Sequence, residues 1–390
     1  MPPPDCFDVV IAGGGPAGAM TALLVKRARP DLNVLLLDAA MAPIHRPCGE
    51  FLGPAGVRVL SDAGLATAVI ADGARVLQGL RLYAGRSVLG ADFLPGIVRP
   101  PHPHGLGVRR EMLDRRLQQA AAAAGVDLRR GARVGTMVRS DGSWQVQVGG
   151  ATITAALVVG ADGRRSVVRR RSGLDAPCGR KRYALVCRAH GMTPPDGGWR
   201  HGEMHISPLG QVGLAPLTDG EVNLNLLLAP QTSGFLQEHP PDILMRAALR
   251  ATPSLRHRSA NARIGRVLAT PSLPQRSVGV VANGVALVGD AAGFWDPFTG
   301  DGMSIALRSA ESLARCIAGL DLRNGASERA LAPYAAAWRR QLRIKRALYP
   351  GLASVLARRR LCEALIGTFG RSALLGRIMV AIEGDYLPRR

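Results

Sequence analysis

Five stretches of this 390-residue chain carry residues whose types and spacing can do chemistry. Gly13, Gly15 and Gly18 stand at G-x-G-x-x-G spacing, with Ala17 inside the same turn, and Asp38 follows twenty residues after Gly18. Such a turn bends sharply, lets a pyrophosphate approach bare backbone, and lets the next helix pack close on the preceding strand, all of which need missing side chains. Pro16 comes early in that helix, where its absent N–H costs little and the first-turn amides remain free to face an anion. A carboxylate at the position of Asp38 accepts hydrogen bonds from a ribose. RPCGEF, Arg46–Phe51, places the thiol of Cys48 and the carboxylate of Glu50 on one glycine-containing loop. Either group can give a proton to a reacting carbon, and a buried thiol can equally do no more than shape a pocket. Two further turns, GADGRR from Gly160 and VGDAAGF around Gly289 and Asp290, each combine small residues with one acid. TGDG, holding Gly300 and Gly302, then opens a helix whose backbone amides can face an electron-rich ring.

The elements that must position these groups read from the apolar pattern. Phe7–Ala12 and Val34–Leu37 are short apolar runs of the kind buried on both faces of a parallel sheet, flanking a helix. A helix is expected from about Gly56 to Leu65, a β-hairpin over Gly79–Asp92, and an irregular stretch over the proline-rich Pro95–Pro103. Gly107–Gly125 reads as a helix with Met112, Leu113 and Leu117 on one side and a glycine stop. Strands follow at about Asp127–Arg130, Gly135–Val138, Trp144–Val148, Ala151–Thr154 and Leu157–Gly160. Beyond Cys178 the pattern changes to strands and turns, interrupted by a helix over Pro241–Ala251, with Asp219-Gly220 as a hairpin turn. A buried strand then returns at Val285, followed by a long helix from about Met303 to Leu320 and a basic helical segment over Ser327–Arg390. The first lobe is thus interrupted and later resumed.

Composition bounds the alternatives. An apolar content of 47% excludes a disordered chain, and the length is enough for two lobes with their own cores. The net charge of +21 is almost wholly arginine, with lysine only at Lys26, Lys181 and Lys345. Such a chain attracts anions, but no nucleic-acid module accompanies the charge, so no nucleic-acid partner is expected. Six scattered cysteines without a C-x-x-C pair suit a reducing cytoplasm and suggest no metal site. The N-terminus shows no basic-then-apolar leader and the chain no run of eighteen apolar residues, so neither a signal peptide nor a membrane span is expected.

In order along the chain, GGGPAG, GADGRRSVVRR and GDAAGFWDPFTGDGMSIALRSA together resemble the FAD-binding lobe of the single-component flavoprotein hydroxylases and of the geranylgeranyl reductase family, which share one fold. The resemblance spans nearly the whole first lobe. It implies an α/β fold: a Rossmann-like FAD-binding lobe with a parallel sheet discontinuous in sequence (1–78, 107–177 and 279–322), an antiparallel-sheet substrate lobe (79–106 and 178–278), and a helical C-terminus (323–390). Asp290 would meet the ribityl and pyrophosphate part of FAD, Gly300 and Gly302 the flavin ring, and Asp162, with Gly163, both FAD and NAD(P)H. Arg110, rather than Arg109, matches the arginine that meets the FAD phosphates. No second dinucleotide fingerprint is present, so an NAD(P)H electron donor would bind in a cleft without its own glycine turn.

RPCGEF resembles the Pro-Cys-Gly signature of the geranylgeranyl reductase-like branch, which makes Cys48 and Glu50 the candidate acids. The partner signature of that branch, P-x-x-Y-x-W-x-F-P, departs here. Pro208–Pro216 reads PLGQVGLAP, with Gln211, Gly213 and Ala215 where the aromatics would stand. Expected substrate contacts are Phe51, Gln211, Gly213 and Pro297, around a lipophilic substrate of isoprenoid or polyketide-like type. The favoured activity is hydride transfer from reduced FAD to a double bond, with an NAD(P)H- and oxygen-dependent hydroxylase as the alternative. A basic membrane-surface or nucleic-acid-binding protein with a vestigial nucleotide fold is the alternative of another class. The basic C-terminal run is expected to be a solvated helical face, or a peripheral contact with the inner face of a membrane.

Overall fold

A computed structural model describes residues 6–93, 102–140, 142–177, 182–273, 275–294, 300–356, 358–370 and 372–383. Pro297 and most of the proline-rich stretch 95–103 lie outside these residues. Two sheets of eight strands organise the chain. In the first, Cys6–Ala12 lies at the centre, pairing in parallel with Ala151–Gly160 on one side and Val34–Asp38 on the other. Asp127–Arg130 extends the sheet beyond Val34–Asp38, and Val285–Leu287 pairs in parallel with the end of Ala151–Gly160. The central strands bury both faces, which is why Val9, Val10, Ile11, Leu35 and Leu36 are fully apolar and fully buried.

Ala151–Gly160 is one strand rather than the two the sequence suggests. Its first half pairs with Ser143–Val148 and its second half with Val285–Leu287, so the small residues Ala155 and Ala156 at the changeover cause no break. The helix Pro16–Ala28 packs on this sheet beside Gly302–Ala318. Lys26 closes its C-terminus by donating to the carbonyls of Pro30 (2.9 Å) and Leu32 (2.8 Å). The helix expected at 56–65 runs over Pro54–Asp62, with proline in its first turn.

The second sheet is antiparallel at every pairing but one. Arg182–His190, Glu221–Leu228, Gly210–Pro216 and His201–Ser207 follow one another antiparallel across it. The turn at Asp219 and Gly220 has φ of 61° and 69°, the doubly positive pair that a tight hairpin requires. His201–Ser207 then pairs in parallel with Gly79–Ala84, the first strand of the expected hairpin with Ser87–Asp92. Only strands joined by a short turn must run antiparallel, and these two are separated by more than a hundred residues. One face of the sheet packs on Pro241–Ala251 through Leu185, Leu224, Leu226 and Met245. The other is partly covered by the helices Arg359–Phe369 and Ala373–Glu383, through Ile206, Cys362, Ile366 and Val380.

An ionic knot ties the second sheet to the RPCGEF loop and to the helix Arg110–Ala123. Glu50, fully buried at φ 51°, accepts from Arg188 of the second sheet, from the Arg110 backbone N–H (2.8 Å) and from Asn223 Nδ2 (3.0 Å). Arg188 also donates to Glu111 at 2.7 and 2.8 Å. Removing one partner of a buried pair leaves the other charge uncompensated. Arg188→Leu is therefore expected to lower stability by about 3 kcal/mol, read as a reduced thermal midpoint, whereas a surface arginine such as Arg315→Leu should change it by less than about 0.5 kcal/mol.

Candidate active site

Three turns converge because three parallel strands end at one level. Ala12 is in register with Gly160, and Gly160 with Leu287, so the turns beginning at Gly13, Ala161 and Val288 open on the same edge. Backbone bonds lock them: Gly13 N–H to Leu37 (2.7 Å), Ala161 N–H to Ala12 (2.8 Å) and Val288 N–H to Gly160 (2.9 Å). The carboxyl edge of an open parallel sheet is where this architecture binds ligands.

The glycines are required by close approach. A Cβ at Gly13, where φ is 114°, would overlap the Ala161 carbonyl, and one at Gly18 would overlap the Gly13 carbonyl oxygen. A Cβ at Gly15 would come 2.8 Å from the Arg110 guanidinium, and one at Gly289, where φ is 57°, 2.9 Å from the Ala17 Cβ. No side chain caps the N-terminus of Pro16–Ala28, so its first amides are left for an anion. Asp38 is buried, accepting from Ala40 N–H (3.1 Å) and Gln118 Nε2 (2.8 Å), and Gln118 also holds the Gly14 carbonyl at 2.8 Å.

A cavity of about 170 Å³ lies along this edge. Gly15, Ala17, Arg110, Asp290, Gly300 and Gly302 contribute to its wall from the first lobe, and Cys48, Glu50 and Phe51 from the RPCGEF loop. Arg110 Nε donates to Asp114 at 2.8 Å, which fixes the guanidinium beside Gly15. Burial pushes the Asp290 carboxyl above its usual range, opposed by Arg164 and Arg110. Burial likewise pushes the Cys48 thiol up, with Arg110 pulling against it, so at neutral pH the sulfur carries its proton.

Two of the expected site residues hold the protein's own backbone and side chains. Glu50 lies at the cavity wall, where its carboxylate accepts from Arg188, Arg110 and Asn223 and anchors the loop. Asp162 does not line the cavity, whereas Gly163 and Arg164 do. Its Oδ2 accepts from Val167 N–H at 2.6 Å and Val168 N–H at 3.3 Å, so it shapes the turn by capping the helix Val167–Arg171.

A second cavity, of about 390 Å³, opens from the first, and Gly49, Phe51, Asn225 and Gly300 line both. Its walls are the second sheet, including Gln211 and Gly213 as expected, and the two C-terminal helices. The lining is overwhelmingly apolar, with Leu82, Leu89, Ile366, Phe369 and Met379 among its side chains.

Residues 6–348 match the FAD binding domain family. The chain belongs to that family. The site fits the group: bare backbone at Gly13, Gly15 and Gly18, uncapped helix amides for the pyrophosphate, and the half-buried Asp290 carboxyl in the cavity wall. Menaquinone reductase of Mycobacterium tuberculosis is 31% identical over 340 residues, covering 82% of this chain and 78% of its own. Digeranylgeranylglycerophospholipid reductase of Methanosarcina acetivorans is 28% identical over 317 residues, covering 77% and 72%. A solved flavoprotein/dehydrogenase from Cytophaga hutchinsonii shares the fold at TM-score 0.84 and 19% identity, covering 97% of this chain and 93% of its own. The protein is an FAD-dependent oxidoreductase.

Sequence reasoning missed the residues that hold the turns together. Arg169, 1% exposed, donates to the carbonyls of Ala291 (3.1 Å) and Arg164 (2.8 Å) and so ties two of the three turns to each other. It stands in an arginine run that reads as solvated charge. Gln118 is one polar residue on a helix face with no pattern to single it out.

Gly18→Val is expected to yield a folded but colourless protein, checked by visible absorbance after purification. Arg110→Gln should weaken FAD binding by about 2 kcal/mol, roughly 30-fold, in a fluorescence titration of apoprotein.

Proposed function

We propose that this oxidoreductase reduces a carbon–carbon double bond of a lipophilic substrate held in the larger cavity. The observation that carries the reading is the shared wall: a polar, phosphate-accepting cradle opens through Gly49, Phe51, Asn225 and Gly300 directly onto an apolar chamber. Two similar proteins are reductases named for lipids, which supports the same class of substrate here. Gly13, Gly15, Ala17 and Gly18 would cradle the pyrophosphate of FAD, Asp38 the ribose and Arg110 the phosphates. Asp290 and Gly289 would face the ribityl chain, and Gly300 and Gly302 the ring. Bound and reduced, the flavin supplies the hydride, and NAD(P)H is the proposed source of its electrons.

Cys48 supplies the proton. Its thiol lies at the wall of the cradle on the loop that divides the cavities, and desolvation keeps it protonated. Glu50 holds that loop through Arg188, and its N–H donates to the Cys48 sulfur at 3.5 Å. Phe51, which lines both cavities, puts an apolar ring at the junction.

The C-terminal helices bring the substrate. Leu365, Phe369 and Ile378 line the chamber yet are 37%, 47% and 39% exposed, so the chamber's mouth opens on an apolar surface. Leu361 and Leu374 on the same helices are exposed too, as are Arg358, Arg359, Arg360 and Arg377 close by in the chain. Exposed apolar side chains interspersed with arginine match an anionic lipid surface, and among the described residues no helix is long and apolar enough to cross a membrane.

Turnover of pre-reduced enzyme with a polyunsaturated isoprenoid lipid under strict anaerobiosis should give a product heavier by two hydrogens. Incorporation of oxygen from labelled O₂ would instead establish a hydroxylase. Cys48→Ser should retain FAD and slow reduction about 100-fold. Because the acid works while protonated, the rate should fall as pH rises through the raised thiol value, so the wild-type plateau should extend above about pH 8.5. The enzyme should co-sediment with phosphatidylglycerol vesicles and not with phosphatidylcholine vesicles, and Phe369→Asp should weaken that binding about 10-fold.

A further inference from the structure

The TGDG turn puts its glycines and its acid to different uses. Gly300 and Gly302 line the smaller cavity, and Gly300 lines the larger one too. Asp301 between them lines neither and is 2% exposed. It stands at the N-cap of the helix Gly302–Ala318, yet its side chain makes no capping hydrogen bond to that helix. The carboxylate accepts instead from the Lys345 ammonium, in a pair whose side chains are 1% and 13% exposed.

Lys345 arrives from the C-terminal part of the chain. It sits on the helix Glu328–Leu356, where Trp338, Gln341, Leu342 and Lys345 recur at helical spacing. Trp338 and Leu342 are buried in the core of the first lobe. Gln341 donates to the Ser312 hydroxyl at 2.8 Å and to the Arg308 carbonyl at 3.2 Å, so this face grips the helix Gly302–Ala318 along its flank. One turn further on, Lys345 reaches the residue that starts that helix. It is one of three lysines in a chain that otherwise takes its positive charge from arginine.

We propose that Lys345 is a positioning residue for the cofactor: it holds a positive charge behind the TGDG turn, offsets the Asp301 carboxylate that the turn brings up to the flavin ring, and so makes bound FAD easier to reduce. The inference rests on the proposed placement of the ring at Gly300 and Gly302. Reduction gives a flavin two electrons and, near neutral pH, a net negative charge, so each fixed charge beside a partly enclosed ring shifts the equilibrium. Ionised Asp301 disfavours the reduced form and ionised Lys345 favours it. Val355, on the same helix as Lys345, lines the larger cavity, so one helix both walls the substrate chamber and sets how readily the cofactor takes up electrons.

The test is the two-electron reduction potential of FAD-loaded enzyme without substrate, read by anaerobic equilibration with a redox dye at one fixed pH. Lys345→Gln should shift the equilibrium about 10-fold toward the oxidised form, which is about 30 mV lower, and Asp301→Asn about 10-fold toward the reduced form. The double variant should return to within about 2-fold of the wild type. A pair that only fastens two helices would lower the thermal midpoint of both single variants and move the potential in neither, or in the same direction in both, and either result overturns the proposal. Asp301→Asn is isosteric and decides the matter alone if Lys345→Gln does not fold: an unchanged or lowered potential there overturns the proposal. Gly302→Leu reports separately on where the ring lies, because a Cβ at Gly302 meets no protein atom within 4 Å and a leucine there enters the cavity. FAD binding and absorbance unchanged in Gly302→Leu would remove the placement of the ring and the proposal with it; both disturbed, with potentials that do not move in Lys345→Gln and Asp301→Asn, would remove the charge pair alone. No substrate is present, so the result stands apart from whether the enzyme reduces a double bond or hydroxylates.

Discussion

The structure depends on three strands that stop together. Cys6–Ala12, Ala151–Gly160 and Val285–Leu287 come from distant parts of the chain, yet their register brings Ala12, Gly160 and Leu287 to one line. Everything that can hold a nucleotide follows from that line, since each strand hands over there to a turn of small residues. The cost is steric, because turns this close tolerate no Cβ at Gly13 or Gly18. Arg169 and Gln118 serve the same end from behind, holding carbonyls of the turns in place.

The second dependence is on the RPCGEF loop, which belongs to neither sheet. One carboxylate pins it between the second sheet and a helix: Glu50 accepts from Arg188 on that sheet and from Arg110 at the start of the helix Arg110–Ala123. A non-glycine residue at φ 51° is strained, and the four donors that converge on Glu50 hold it there. The division of labour within the loop follows from partners. Four donors converge on Glu50, whereas Cys48 keeps a free thiol at the cavity wall.

Much of this was legible in the sequence where the signal was local. The glycine turn, Asp38 and the apolar strands are read within thirty residues, and the three-turn resemblance placed Asp290, Gly300 and Gly302 at one cavity. Gln211, Gly213 and Ala215, where the resemblance would place aromatics, all line the larger cavity, because alternation along a strand puts all three on one face. What stayed hidden was pairwise and long-range. The pairing of Glu50 with Arg188, 138 residues further on, has no trace in the local pattern. The parallel pairing of Gly79–Ala84 with His201–Ser207 has no sequence signature either, since no turn joins them.

The interleaving of the two sheets also constrains how such an enzyme can change over time. Neither sheet is contained in one contiguous stretch: Gly79–Ala84 interrupts the strands of the first, and Val285–Leu287 completes it only after the second has been traversed. No single exchange of a gene segment can therefore carry one sheet's fold into a relative without severing the other. Diversification is left to replacements of individual residues on a retained framework, and a strand such as Gly210–Pro216 can exchange bulky rings for amides and small groups while the backbone around it stays the same.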